Sequence, residues 1–225
     1  DQTACKSLLR GFSCRAYAWL ITFDDGAMFM RLIIASTLLS ASFAAAPLHA
    51  DFTPPIREVV TYGTGTELLQ ISAPTLSDIA QEAWETEFLP SSYFSAFALS
   101  KSGGYGYATT TNSRSAAREI AMMECLAQNA QCRVIAEIIP AGYVEPPANA
   151  ATLTLEIAGY LNDMERETGF RAAAVSADGA YSMVWGYSSR AEAERAAMMD
   201  CESFRRQPAS PDAPSWPCVL LPATK

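Results

Sequence analysis

Residues 94–125 recur 76 positions later as residues 170–201, and the two segments align without a gap. Phe94 falls on Phe170, Ser100 on Ser176, Gly103 on Gly179 and Tyr105 on Tyr181. Ser113-Arg114 falls on Ser189-Arg190, and Met122-Met123-Glu124-Cys125 on Met198-Met199-Asp200-Cys201. Self-similarity at a fixed period describes one supersecondary unit made twice, because such units bury their apolar faces on each other.

Each unit opens with a strand, Tyr93–Leu99 or Phe170–Val175. A glycine-bearing turn follows, Lys101-Ser102-Gly103-Gly104 or Ala177-Asp178-Gly179-Ala180, with a return strand at Tyr105–Thr109 or Tyr181–Trp185. Asp-Gly between two strand-like runs is a strong hairpin signal, since Gly accepts the positive φ of the turn. Ser189-Arg190-Ala191-Glu192 is a capping box that starts a helix; in the first unit Ser113 caps, but Ala116 replaces the Glu. Ala117, Ile120, Ala121 and Cys125 share one helix face, as do Ala193, Ala196, Ala197 and Cys201. The Met pairs are expected at the edges of that contact. A last strand closes each unit, Cys132–Ile139 or Cys218–Leu221. A right-handed crossover puts strand three parallel to strand two and orders the sheet 2-1-3.

Apolar residues at three- and four-residue spacing predict a leading helix over Thr75–Phe88, and a similar one near Leu153–Glu167. Ile56–Tyr62 reads as a strand. The expected fold is α+β: two tandem β-β-α-β repeats with antiparallel or mixed sheets covered by helices. The first repeat spans 75–143 and the second 150–225, forming one compact body after an extended segment at 51–74.

Residues 28–50 have a basic start at Arg31, an apolar core from Leu32 to Leu39 and an alanine-rich end at Ala50, the layout of a secretory signal peptide. The alternative is a retained anchor over Leu32–Ala50, whose length of roughly 19 residues is borderline for a membrane span. Cleavage after Ala50 is expected, with no stable anchor left. Residues 1–27, without periodicity, read as a start-site artefact. The first fifty residues hold four of the 16 Lys+Arg and three of the 24 Asp+Glu, so the remainder carries 12 basic and 21 acidic residues, a net charge of −9. That acidity argues against nucleic acid as a partner.

The remainder also has no histidine, since the chain's single one is His49. Ser-His-Asp and Cys-His nucleophile systems and histidine zinc sites are thereby excluded. No phosphate loop or dinucleotide fingerprint is present, and no cofactor is expected. A carboxylate pair among Glu82, Glu85 and Glu87 would allow a carboxylate-based hydrolase, but at helical spacing these residues describe a solvated face. Cys125 and Cys132, and Cys201 and Cys218, stand at equivalent places, so one intra-repeat disulfide each is expected in an oxidising compartment. A four-Cys zinc site lacks the close spacing that zinc ribbons use.

Val184-Trp185-Gly186-Tyr187-Ser188-Ser189-Arg190-Ala191-Glu192-Ala193, with Cys201 and Cys218-Val219-Leu220 beyond, resembles the bacterial domain of unknown function numbered 4189. The first copy departs from that pattern, with Thr109-Thr110-Thr111 in place of Trp185-Gly186-Tyr187. Cys132 to Tyr143 also resembles short exported alphaproteobacterial proteins, some labelled 5-aminolevulinate synthase. That label needs a Schiff-base lysine in a large fold, and only Lys101 and terminal Lys225 remain after residue 50. The resemblance implies a small secreted domain and no catalytic residue.

The expected function is a non-enzymatic periplasmic or secreted binding or interaction module whose ligand the sequence does not name; the alternative is a peptidoglycan- or glycan-binding module, and an envelope protein or peptidoglycan are the candidate partners. Gly186-Tyr187-Ser188-Ser189-Arg190 loosely resembles the sporulation-related repeats that bind peptidoglycan glycan. The candidate surface is Tyr187, Trp185, Tyr105 and Tyr107, aromatic rings suited to stacking on a sugar or a protein partner. Alternation along the strand groups Tyr181, Met183 and Trp185 on one face, which favours core for those three, whereas Tyr187 lies beyond the strand and is expected to be exposed.

Overall fold

The structure, a computed structural model, describes residue 56, residues 58–208 and residues 213–222. The expected signal peptide, the segment before it and the Asp51–Pro55 tail lie outside the described residues. The fold is α+β. Strands β1 (Glu58–Val60) and β2 (Thr66–Gln70) lead into helix α1 (Asp78–Ala83), which runs on as a π-helical turn, Trp84–Phe88. Then come β3 (Phe94–Leu99), β4 (Tyr105–Thr111), α2 (Arg114–Leu126), β5 (Arg133–Pro140) and β6 (Ala150–Thr152). The chain closes with α3 (Leu155–Met164), β7 (Phe170–Val175), β8 (Tyr181–Tyr187), α4 (Arg190–Phe204) and β9 (Val219–Leu220).

One sheet has the order β2-β5-β3-β4 and the other β8-β7-β9, all antiparallel neighbours, while β1 and β6 form a parallel pair. Within both β3-β4-α2-β5 and β7-β8-α4-β9 the hairpin's first strand lies between the other two, the expected 2-1-3 order. Strands β2 and β6 were not expected. Exposure along β2 runs almost throughout, with only Leu69 half-buried, so its sequence shows no alternation to read.

The two turns are built alike. Gly103 and Gly179 carry φ +89° and +102°, and their amides donate to the Ser100 and Ser176 carbonyls, each at 3.2 Å. The helix starts follow the caps: Ser113 Oγ accepts from the Ala116 amide and Ser189 Oγ from that of Glu192.

Each main sheet is covered on both faces. Ala117, Ile120, Ala121 and Cys125 of α2 pack on Phe94, Ala96 and Ala98, while Ala80, Ala83 and Phe88 pack on Phe97, Ile135 and Ile138. In the second sheet, Ala193, Ala197 and Cys201 of α4 face Ala172 and Ala174, and Ile157, Leu161 and Met164 of α3 face Ala173 and Val175. Helices α1 and α3 thus fill the faces that α2 and α4 leave open. Small residues bring α2 close: a Cβ on Gly106 would lie 2.2 Å from the Cys125 amide nitrogen. Met122, Met123 and Met198 flank these contacts as expected; Met199 is 68% exposed and does not.

Disulfides join Cys125 to Cys132 and Cys201 to Cys218, tying each helix end to the strand it feeds. Such bonds form and persist in oxidising, non-cytoplasmic surroundings. Among the described residues no helix is long and apolar enough to cross a membrane.

Candidate binding surface

The four candidate rings fall into two separate pairs. Tyr105 and Tyr107 sit on β4, the edge of the first sheet, and stack with Phe97 of β3 at centroid distances of 5.6 and 6.2 Å. Trp84 closes on the same cluster, 5.3 Å from Phe97. Both tyrosines are half-buried. Burial raises the Tyr107 pKa, and the charges of Glu87, Tyr105 and Glu124 raise it further. This pair is therefore the rim of a core whose outer side reaches solvent.

Trp185 and Tyr187 end β8, the edge of the second sheet, and belong to none of the buried clusters. Tyr187 pairs with Phe170 and Val184 with Ala172, so Trp185 and Gly186 together oppose Arg171 alone. This is a β-bulge, with Gly186 at φ +81°. The bulge corrects the sequence expectation. Tyr181 and Met183 pack toward α3 as alternation requires, but the strand turns after Val184 and leaves Trp185 40% exposed. Tyr187 is exposed as expected, and Phe170, not expected, is 47% exposed beside it. Gly169, at φ +82°, lies so close to Gly186 that a Cβ on it would stand 2.9 Å from the Gly186 Cα. Backbone against backbone holds the three rings at one end of the hairpin.

The sequence reading missed a buried charge. Glu137 of β5 is 2% exposed; its Oε2 receives Arg114 Nε at 2.6 Å, and its Oε1 lies 3.6 Å from Arg118 Nε. The hydrogen bond to Glu137 raises the Arg114 pKa, with burial working against it. The Arg114 guanidinium also sits 6.0 Å over the Tyr143 ring, whose hydroxyl bonds Glu145. Tyr143 packs in turn on Tyr62 and Phe94, so this network fastens α2 and the N-terminal segment to the first sheet. A lone carboxylate inside Val134-Ile135-Ala136-Glu137-Ile138-Ile139 was its signal. A buried charge requires a partner, and arginines one helical turn apart at the start of α2 supply it.

All four described cysteines are in disulfides. Glu82, Glu85 and Glu87 are exposed, and Glu85 accepts from Gln81 Nε2 at 2.5 Å. A shallow cavity of about 20 Å³, room for a water rather than a substrate, lies beside Leu161, Met164 and Leu220. No family model, curated protein or solved structure matches the chain.

Proposed function

We propose that the chain is a non-enzymatic binding module, exported to the periplasm or secreted, that receives its partner on Phe170, Trp185 and Tyr187. The observation that carries this is the bulge at Trp185-Gly186, which lifts large rings out of the core at the end of an edge strand. Grouped exposed aromatics are the usual composition of a recognition patch, and scattered apolar residues are not. The disulfides and the resemblance to a secreted domain support the location.

Peptidoglycan and an envelope protein are the two partner classes that suit such rings, and one experiment separates them. The purified chain is sedimented with washed sacculi, alongside Trp185→Ala and Tyr187→Ala. Co-sedimentation lost in both variants supports glycan stacking, whereas a chain that stays in the supernatant retires it and leaves the protein partner. Turnover of a glycoside or peptide substrate by clean protein would overturn the non-enzymatic assignment.

A further inference from the structure

Strand β4 is an edge of the first sheet. Natural edge strands are blunted with charged residues, proline or cover, because their free amides and carbonyls invite another strand. The segment Tyr105–Thr111 holds neither charge nor proline, and no strand pairs with its outer edge among the described residues. Its far end is occupied: the Thr110 carbonyl meets the Gly179 turn, and the Asn112 amide donates to the Ala177 carbonyl at 3.1 Å. The stretch Tyr105–Ala108 remains.

Acidic side chains flank this stretch from both layers. Glu87 comes from the π-helical turn and Glu124 from α2, both of which pack against β4, and both charges act on the Tyr107 hydroxyl. The chain's own Arg206 already takes Glu124, Nη1 to Oε1 at 2.6 Å, which shows the charge this edge accepts. Glu87 is exposed and makes no ion pair among the described residues. Asp200, 76 positions on from Glu124, is likewise taken within the chain, accepting from Ser182 Oγ at 2.8 Å.

The geometry points to the β4 edge as a docking site for an extended, basic peptide segment of a partner protein. Its main chain would pair with Tyr105–Ala108, and alternate Lys or Arg side chains would lie over the Tyr105 and Tyr107 rings toward Glu87. Charge complementarity selects this occupant over a second copy, because residues 51–225 carry a net charge of −9.

The test is fluorescence anisotropy of the purified chain with a short labelled peptide of alternating Lys and Val. Controls are the matching Glu-Val peptide and a Lys-Val peptide N-methylated at alternate amides, which cannot complete a strand ladder. Saturable binding of the first peptide alone is expected, weakened by salt and falling by about tenfold in Tyr107→Ala and in Glu87→Gln. Glu87 is exposed, so its variant keeps the fold even where the tyrosine variant does not. Absence of binding, equal binding of either control, or indifference to both substitutions overturns the site. Sacculus sedimentation reports on Trp185 and Tyr187 and the peptide on Glu87 and Tyr107, so either proposal can fail alone.

Discussion

Thr110 and Gly186 stand 76 positions apart and share a left-handed backbone, φ +55° and +81°, each as the second residue of the bulge in its hairpin. The same holds for Tyr93 and Gly169, at +57° and +82°. The second hairpin uses glycine at both places, where the conformation carries little strain; the first uses a β-branched residue and a ring. Tyr93 is compensated, since its buried hydroxyl donates to the Tyr62 carbonyl and accepts from the Tyr62 amide at 3.0 and 3.1 Å. Thr110 donates its amide to Ser95 Oγ at 3.1 Å, a bond that any residue would make.

Thr110→Gly should therefore stabilise the protein by about 1 kcal/mol, relief of left-handed strain exceeding the added freedom of the unfolded chain. Gly186→Ala should destabilise it by a similar amount. Urea midpoints at unchanged m-values read both. A lower midpoint for Thr110→Gly would show that the bulge is not strained.

Asn112 lies one residue past β4 and joins the two halves. Its Nδ2 donates to the Ser176 carbonyl at 2.9 Å, and its Oδ1 accepts from the Thr154 amide at 3.3 Å. The residue 76 positions on, Ser188, turns instead to its own helix and donates to Glu192. Asn112→Ala leaves a buried carbonyl and a buried amide without that partner and should cost about 2 kcal/mol. A change below about 0.5 kcal/mol, the range of ordinary surface substitutions, would mean the side chain is replaceable by water.

Glu202 predicts a pH dependence. Burial works to raise its pKa, but the Arg205 guanidinium and the Cys218 amide, 2.8 Å from Oε1, more than offset that and hold it below 4.5. A carboxylate lowered in the folded state contributes stability above its unfolded pKa and loses it as pH falls through the folded one. The gap between the native chain and Glu202→Gln should thus be full at about pH 7 and shrink toward about pH 3. A gap that stays constant between those two pH values would disprove the linkage.

Local chemistry was legible in the sequence. The Asp-Gly turn, the Ser caps, the helices and both cysteine pairs each depend on residues close together, and each stands where it was read. Non-local chemistry was not. Strand β2 exists only because β5 is there to pair with, Thr66 to Pro140 through Gln70 to Ala136. Trp185 left the face that alternation assigned to it because a bulge counts two residues as one, and Gly186 inside the strand was the clue. Glu137 was visible as a charge in an apolar run, but the arginines it pairs with lie 23 and 19 positions away on another element.

The two disulfides are unequal in a way loop length does not express. Their sequence separations, 7 and 17, give about 2.5 and about 3 kcal/mol in the chain-entropy model. Trp216, two residues before Cys218, is buried in the cluster of the first unit against α2 and β3, not in its own. Ser176 Oγ donates to the Trp216 carbonyl at 2.6 Å, so the bridge delivers this ring to the seam. Removing Cys201–Cys218 by paired serines should cost more than its loop term, and removing Cys125–Cys132 only its own. The excess should vanish in a Trp216→Ala background, because the ring can be lost only once. A double-mutant cycle measures this directly, and an interaction energy near zero between Trp216→Ala and the loss of Cys201–Cys218 would show that β9 alone holds the ring in place.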